Sequence, residues 1–124
     1  MHAVGVDIIE IIRIAQTLDR WGDRFLSRTY TQGELAYCKK RPPQLASRFA
    51  AKEAMMKALG TGRHGVNWRD IEVVRRKGGP PTIVLHNRAL KVAARLRVGH
   101  IAVSLSHSRE YAVASVLIEV GLST

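Results

Sequence analysis

Cysteine, aromatic residues and acidic residues are all scarce in this chain, and no long apolar run is present. The single cysteine, Cys38, excludes an intrachain disulfide and fits a reducing compartment. Neither it nor the five histidines stand at zinc-ligand spacing. Aromatic rings make up only 6% of the residues, and no helix-turn-helix or RNA-binding aromatic signature accompanies them. The apolar N-terminal stretch is interrupted by Asp7, Glu10 and Arg13. It is therefore read neither as a signal peptide nor as a membrane span, and a cytoplasmic location is expected. Low-complexity segments and internal repeats are missing too, so the 124 residues are expected to form one domain, residues 1–124.

What is abundant is positive charge. Twenty Lys and Arg stand against ten Asp and Glu, a formal net charge of +10. Such a surface favours an anionic partner, but its sign does not distinguish nucleic acid, lipid, nucleotide or acidic protein.

Hydrophobic spacing predicts a mixed chain. Val4 to Ile9 reads as a buried strand. Ile11, Ile14, Leu18, Trp21 and Phe25 then recur at helical spacing, with Arg13, Arg20 and Arg24 in a narrow arc on the opposite side and Gly22 marking a bend or break. Thr31 and Glu34 have capping-box spacing for a short helix to about Lys40. Arg41-Pro42-Pro43 ends that helix and starts a longer one through Leu59, with Gly60 as its C-cap. Strands follow at Ile71 to Val74 and Thr82 to Leu85. A helix capped by Asn87 and closed by Gly99 comes next, then a hairpin of Ile101 to Ser106 and Ala112 to Ile118. The sum is an α+β fold of about five strands, in a largely antiparallel sheet, packed against a long central helix and three others.

Two anomalies stand out against this background. In the long helix, Leu45, Phe49, Met56 and Leu59 share an apolar face, yet Lys52 falls inside that face and Glu53 on its margin. An ammonium there asks for an anionic partner. Taken alone, Glu53 and Lys57 form an ordinary i,i+4 pair worth about 0.2–0.5 kcal/mol. The second anomaly is Asp7, a carboxylate inside an apolar strand; taken alone, it would cap the helical segment that follows. Gly60 to Gly65 has the glycine spacing of a phosphate-binding Walker loop, but Val66-Asn67 replaces its Lys-Ser/Thr and it follows a helix instead of preceding one, which dismisses that reading.

Gly5-Val6-Asp7-Ile8 with Glu10 and Arg13, Arg48 through Ala54 with Lys57-Ala58 and Gly60-Thr61-Gly62, Trp68 with Asp70-Ile71-Glu72, and Val103 through His107 resemble, in order, the holo-(acyl-carrier-protein) synthase family of 4′-phosphopantetheinyl transferases. The resemblance covers almost the whole chain. It implies magnesium, or manganese, held by Asp7 and Glu53 against the pyrophosphate of coenzyme A. Two carboxylates alone are too few to cage such an ion, which suits a metal completed by water and substrate phosphates. Lys57 would place an ammonium on the same phosphates, and Lys52 is left either to neutralise Asp7 or to contact the pyrophosphate. Arg41 and Arg48 would meet the 3′-phosphate or pyrophosphate, Gly60 and Gly62 would allow close backbone approach, and His107 would contact the nucleotide.

The implied nucleophile is a serine of an apo acyl carrier protein attacking the β-phosphate, with a metal-bound water the first choice to relay its proton and Glu53, ahead of Asp7, as the acceptor. Arg13 matches the family's carrier-docking position; Arg20 and Arg24 join it by the helical wheel. Short members of the family are homotrimers with coenzyme A between subunits, and this length falls on that side. A basic nucleic-acid-binding module would account for the charge but not for Asp7 or Glu53. A non-catalytic scaffold would leave Asp7, Lys52 and Glu53 without a task.

Overall fold

Alternation in the first strand and small residues on the long helix dictate how the chain is assembled. The computed structural model describes residues 1–121. Strand β1 (His2–Glu10) leads into α1 (Ile11–Trp21), α2 (Asp23–Thr29), α3 (Gln32–Cys38) and the long α4 (Pro42–Leu59). After two short 3₁₀ turns come the strands β2 (Ile71–Arg75) and β3 (Pro81–Leu85), helix α5 (Asn87–Leu96), and the strands β4 (Val98–His107) and β5 (Tyr111–Val120). The strands form two antiparallel sheets, β1-β5-β4 and β2-β3. The expected α+β class holds, with the strands divided between two sheets. Among the described residues no helix is long and apolar enough to cross a membrane.

Helix α4 is buried on nearly every side, because its inner positions are alanines, methionines and leucines. Ala50, Ala51, Ala54 and Met55 are fully buried against the sheet residues Ala114, Val116 and Ile118. Its N-terminal part, with Leu45 and Ala46, closes a second cluster under α1, α2 and α3 around Ile14, Leu26 and Tyr30. The closest approach is at Gly5. A Cβ there would lie 1.8 Å from the carbonyl oxygen of Ala54 and 2.9 Å from the amide nitrogen of Ala58. Only glycine allows β1 to lie this near the helix.

Several local expectations hold. Thr31 and Glu34 form the reciprocal capping box of α3, Pro42 and Pro43 open α4, and Gly60, at φ 75°, caps its end. Others are corrected. Gly22, at φ 53°, separates α1 from α2, so there are five α-helices and not four. Trp21 was expected in the core but is 48% exposed, because it sits at the terminus of α1 where the chain turns. The N-cap of α5 is His86, with Asn87 already helical, and its C-cap is Arg97 in the left-handed region, so that Gly99 lies within β4.

Lys52 has an anionic partner that its own helix gave no hint of. Its ammonium is wholly buried and donates to Glu34 Oε1 at 2.7 Å, to the Trp68 carbonyl at 3.0 Å, and to the Ile71 carbonyl. Glu34 in turn accepts from the Thr31 amide at 2.9 Å and the Val73 amide at 2.8 Å. Burial pushes the Lys52 pKa down, and the Glu34 carboxylate opposes that push. Both roles first considered for Lys52, neutralising Asp7 and contacting a pyrophosphate, are corrected: it ties α3, α4 and β2 together. Removing one partner of such a pair strands the other's charge in the interior, so Lys52→Met should destabilise the fold by about 3–5 kcal/mol. Urea unfolding followed by circular dichroism measures this; a midpoint close to wild type would refute the structural role.

Candidate active site at the junction of β1 and α4

The close packing at Gly5 determines what the next inward residue of β1 meets. Side chains alternate along a strand, so Asp7 points to the same side as Gly5, toward α4. On α4, Glu53 and Lys57 lie one turn apart on the flank facing this strand. Asp7, Glu53, Arg13, Phe49 and Arg63 line one cleft of about 260 Å³, with Ile9, Ile14 and Phe25 among its apolar walls. Strand and helix thus bring together two carboxylates separated by most of the N-terminal half of the chain.

Each carboxylate is neutralised by a cation, though not in the expected pairing. Lys57 Nζ donates to Asp7 Oδ1 at 3.1 Å and to the Val6 carbonyl at 2.9 Å. Glu53 Oε1 instead accepts from Arg63 Nη2 at 2.9 Å. The i,i+4 Glu53–Lys57 pair is therefore replaced, because β1 offers Lys57 both a carboxylate and a backbone oxygen. Nor does Asp7 cap a helix: the N-cap of α1 is Glu10, without a side-chain cap bond. Arg63 also lies over the Trp68 ring at 5.6 Å, and Trp68 stacks on Phe49 with centroids 4.6 Å apart and planes at 23°.

Two hard oxygen ligands in one half-buried cleft fit a divalent cation. Among the described residues no third Asp, Glu, His or Cys joins them, so the remaining ligands would be water and substrate oxygens. In this structure the Lys57 ammonium and the Arg63 guanidinium supply the cationic compensation of the two carboxylates.

Arg41, Arg48, Gly60, Gly62 and His107 lie outside this cleft. Arg48 is buried over the Tyr37 ring at 4.5 Å and donates from Nη1 to Ser47 Oγ at 3.0 Å, while its buried Nη2 has no hydrogen-bond partner among the described residues. A buried guanidinium donor left unmet is costly. Arg41 flanks the same ring but uses its donors on α3, bonding the Cys38 carbonyl at 2.9 Å and the Tyr37 carbonyl at 2.7 Å. Gly60 and Gly62 both have positive φ, and a Cβ at either would meet nothing, so conformation and not crowding calls for glycine there. His107 is exposed at the end of β4, opposite Ala112 of β5, which is itself opposite Ile9 of β1. Strand β5 thus separates it from Asp7.

Of the basic stripe, Arg13 lines the cleft. Arg20 stacks over Trp21 at 5.1 Å, and Arg24 lies beyond the Gly22 break, beside Trp21, Phe25, Arg28 and Trp68 around a hollow of about 440 Å³. The single wheel on which these arginines were aligned is two helices. Sequence reasoning missed Arg28 there and Arg63 in the cleft. Arg28 repeats the spacing of Arg24 at i+4 and was available as a signal, whereas Arg63 sits in a loop without periodicity.

A larger concavity, about 940 Å³, lies elsewhere, between α2, α3 and the start of α5. In it, Glu72 accepts from Thr31 Oγ1 at 2.7 Å and pairs with His86 Nε2 at 2.9 Å. Burial raises the Glu72 pKa, but these two hydrogen bonds together with the charges of His86 and Lys52 outweigh it and hold the group below the usual carboxylate value.

The sequence profile of the 4′-phosphopantetheinyl transferase superfamily matches residues 3–116. The holo-(acyl-carrier-protein) synthase of Koribacter versatilis is 52% identical over 119 residues, covering 93% of this chain and 95% of its own. That of Moorella thermoacetica is 50% identical over 126 residues, covering 99% and 98%. Among solved structures, the Helicobacter pylori holo-(acyl-carrier-protein) synthase in complex with coenzyme A superposes with a TM-score of 0.86 at 29% identity, covering 94% of this chain and 99% of that one. The Bacillus anthracis enzyme in complex with coenzyme A (3′,5′-ADP) gives 0.77 at 35% identity, covering 96% of each. With the profile spanning both Asp7 and Glu53 and the identities running nearly end to end, the chain belongs to the 4′-phosphopantetheinyl transferase superfamily.

Proposed function

We infer that this chain is a holo-(acyl-carrier-protein) synthase, which moves 4′-phosphopantetheine from coenzyme A to a serine of an apo acyl carrier protein and releases 3′,5′-ADP. The observation that carries the reading is the pair Asp7 and Glu53 in one cleft, each already held by a cation. The same reading takes the chain as one domain carrying a single copy of the fold, in a cytoplasmic location. Cys38 takes no part: it is fully buried, and desolvation pushes its thiol pKa up to about 11.

In the reaction the carrier's serine oxygen bonds to the β-phosphorus of coenzyme A, and the bond from that phosphorus to the oxygen of the departing 3′,5′-ADP breaks. Asp7 and Glu53 would hold magnesium, or manganese, which supplies Lewis-acid stabilisation of the charge growing on the phosphates. Lys57 Nζ, braced by the Val6 carbonyl, orients an ammonium toward the same charge. A Glu53 carboxylate oxygen takes the serine proton. Phe49 and Phe25 wall the cleft and limit water. Arg48 and Arg41 are assigned to the 3′-phosphate or pyrophosphate of coenzyme A, Gly60 and Gly62 to close backbone approach, and His107 to a contact with the nucleotide.

Because Arg48 and His107 do not line the cleft of Asp7, one chain offers only part of a coenzyme A site. The open face of the β1-β5-β4 sheet supports completion by further copies. Val4, Val6 and Ile8 of β1 are 62%, 51% and 62% exposed and stand beside Leu117 and Val113 of β5. An apolar face of this kind is costly to leave in water, and a closed cyclic trimer would cover it. The basic stripe, led by Arg13, suits the carrier protein, whose acidic surface it would steer and hold in register.

Asp7→Asn and Glu53→Gln should each lower metal-dependent transfer by roughly a thousandfold while retaining the fold. The mass gain of an apo carrier measures this, and near-normal turnover in either folded variant would remove the metal assignment.

Light scattering during size exclusion should give three chains per particle, with Val6→Lys dissociating it and losing activity. An active monomer would contradict the shared site.

Arg13→Glu should raise the KM for the carrier far more than that for coenzyme A. Added salt should weaken the wild type in the same way, since exposed charges are screened beyond about 10 Å at 0.1 M. Unchanged carrier affinity and salt dependence would place docking elsewhere.

A further inference from the structure

Arg63 is the cleft residue to which the proposed reaction gives no task. It lies in the 3₁₀ turn Gly62–His64, just after a glycine at φ 58°. Its guanidinium contacts two things: Glu53 Oε1 at 2.9 Å and the face of Trp68 at 5.6 Å. Trp68 is fixed in turn by its stack on Phe49, which lines the same cleft. The side chain of Arg63 is 68% exposed, whereas that of Glu53 is 17% exposed. A long, largely exposed cation, tethered by an aromatic face, therefore occupies an oxygen of a mostly buried carboxylate.

That oxygen belongs to one of only two carboxylates available to a metal in this cleft. A carboxylate oxygen engaged by a guanidinium is a poorer ligand for a divalent cation, and two cations on one carboxylate repel. Metal binding through that oxygen therefore competes with the Arg63–Glu53 pair. The freed guanidinium remains at the cleft through Trp68, and its planar fork of donors matches phosphate oxygens. Lys57 differs, because the Val6 carbonyl as well as Asp7 holds its ammonium.

We propose that Arg63 couples metal and coenzyme A binding: it holds Glu53 while the metal is away, and exchanges that carboxylate for a substrate phosphate when metal and coenzyme A arrive together. Metal alone then binds against Arg63, and metal with a phosphate-bearing ligand binds with its help. Linkage makes the effect reciprocal, so coenzyme A affinity rises with metal by the same factor. The proposal rests on the reading that Asp7 and Glu53 hold a divalent cation.

Manganese titration followed by electron paramagnetic resonance tests it, with and without coenzyme A and with no carrier protein, so that nothing turns over. Without coenzyme A, Arg63→Gln should bind manganese roughly two- to fivefold more tightly than wild type, the range expected for release of an exposed ion pair. With coenzyme A that advantage should vanish or reverse, because the variant lacks the guanidinium that a phosphate would engage. Arg13→Gln removes the same charge from the same cleft without touching Glu53, and should reproduce neither effect in full. Equal manganese affinity in Arg63→Gln and wild type under both conditions would overturn the proposal, as would Arg13→Gln matching Arg63→Gln. Glu53→Gln separates the two levels: if it leaves manganese binding intact, the metal reading itself falls, and the proposal with it.

Discussion

The contact between Gly5 and the backbone of Ala54 is the constraint on which the rest of the site depends. A single methyl group at residue 5 would overlap the Ala54 carbonyl. Without it, β1 lies directly on the small-residue face of α4, and Asp7, the next inward residue of the strand, comes level with the turn that carries Glu53 and Lys57. Alanines at 50, 51, 54 and 58 belong to the same arrangement, since a larger side chain on that face would lift the strand away. The chemistry of the cleft is thus set by the absence of side-chain volume some way below it.

The opposite side of α4 is held differently. There Lys52 is driven into the interior and its charge is met by Glu34 and two backbone carbonyls. Neighbouring residues 52 and 53 on one helix therefore serve opposite ends: one charge is buried in the interior, the other faces a cleft and pairs with the largely exposed Arg63. The first contact cross-links three elements and keeps the helix from rotating. Rotation by even a fraction of a turn would carry Glu53 away from Asp7, so the buried pair also protects the geometry of the cleft.

Much of this could be read in the sequence, and what could not has a physical reason. Signals confined to a few neighbouring residues were legible: the Thr31/Glu34 capping box, Pro42-Pro43 at the start of α4, Gly60 at its end, and the final hairpin. Asp7 and Glu53 were legible because carboxylates in apolar segments are anomalies. Pairings across the fold carry no local mark. Nothing near Lys52 points to Glu34, which also serves as a capping residue, and nothing near Glu53 points to Arg63. The arginine stripe was drawn on one wheel, and the positive φ of Gly22 divides that wheel in two. Asn87 and Gly99 are favoured cap residues, yet tertiary packing places the caps at His86 and Arg97.

The net charge of +10 and the uncovered apolar sheet face fit the proposed reading, in which an anionic cofactor and an acidic protein would be met and further copies of the chain would complete the pocket. At its centre is the claim that close packing of β1 on α4 creates a shared metal site from Asp7 and Glu53. Anomalous scattering from a crystal grown with manganese and coenzyme A tests that claim most directly. The account predicts one manganese peak per chain, ligated by both carboxylates and by coenzyme A phosphate oxygens. A peak that touches only one of the two carboxylates, or neither, would contradict it.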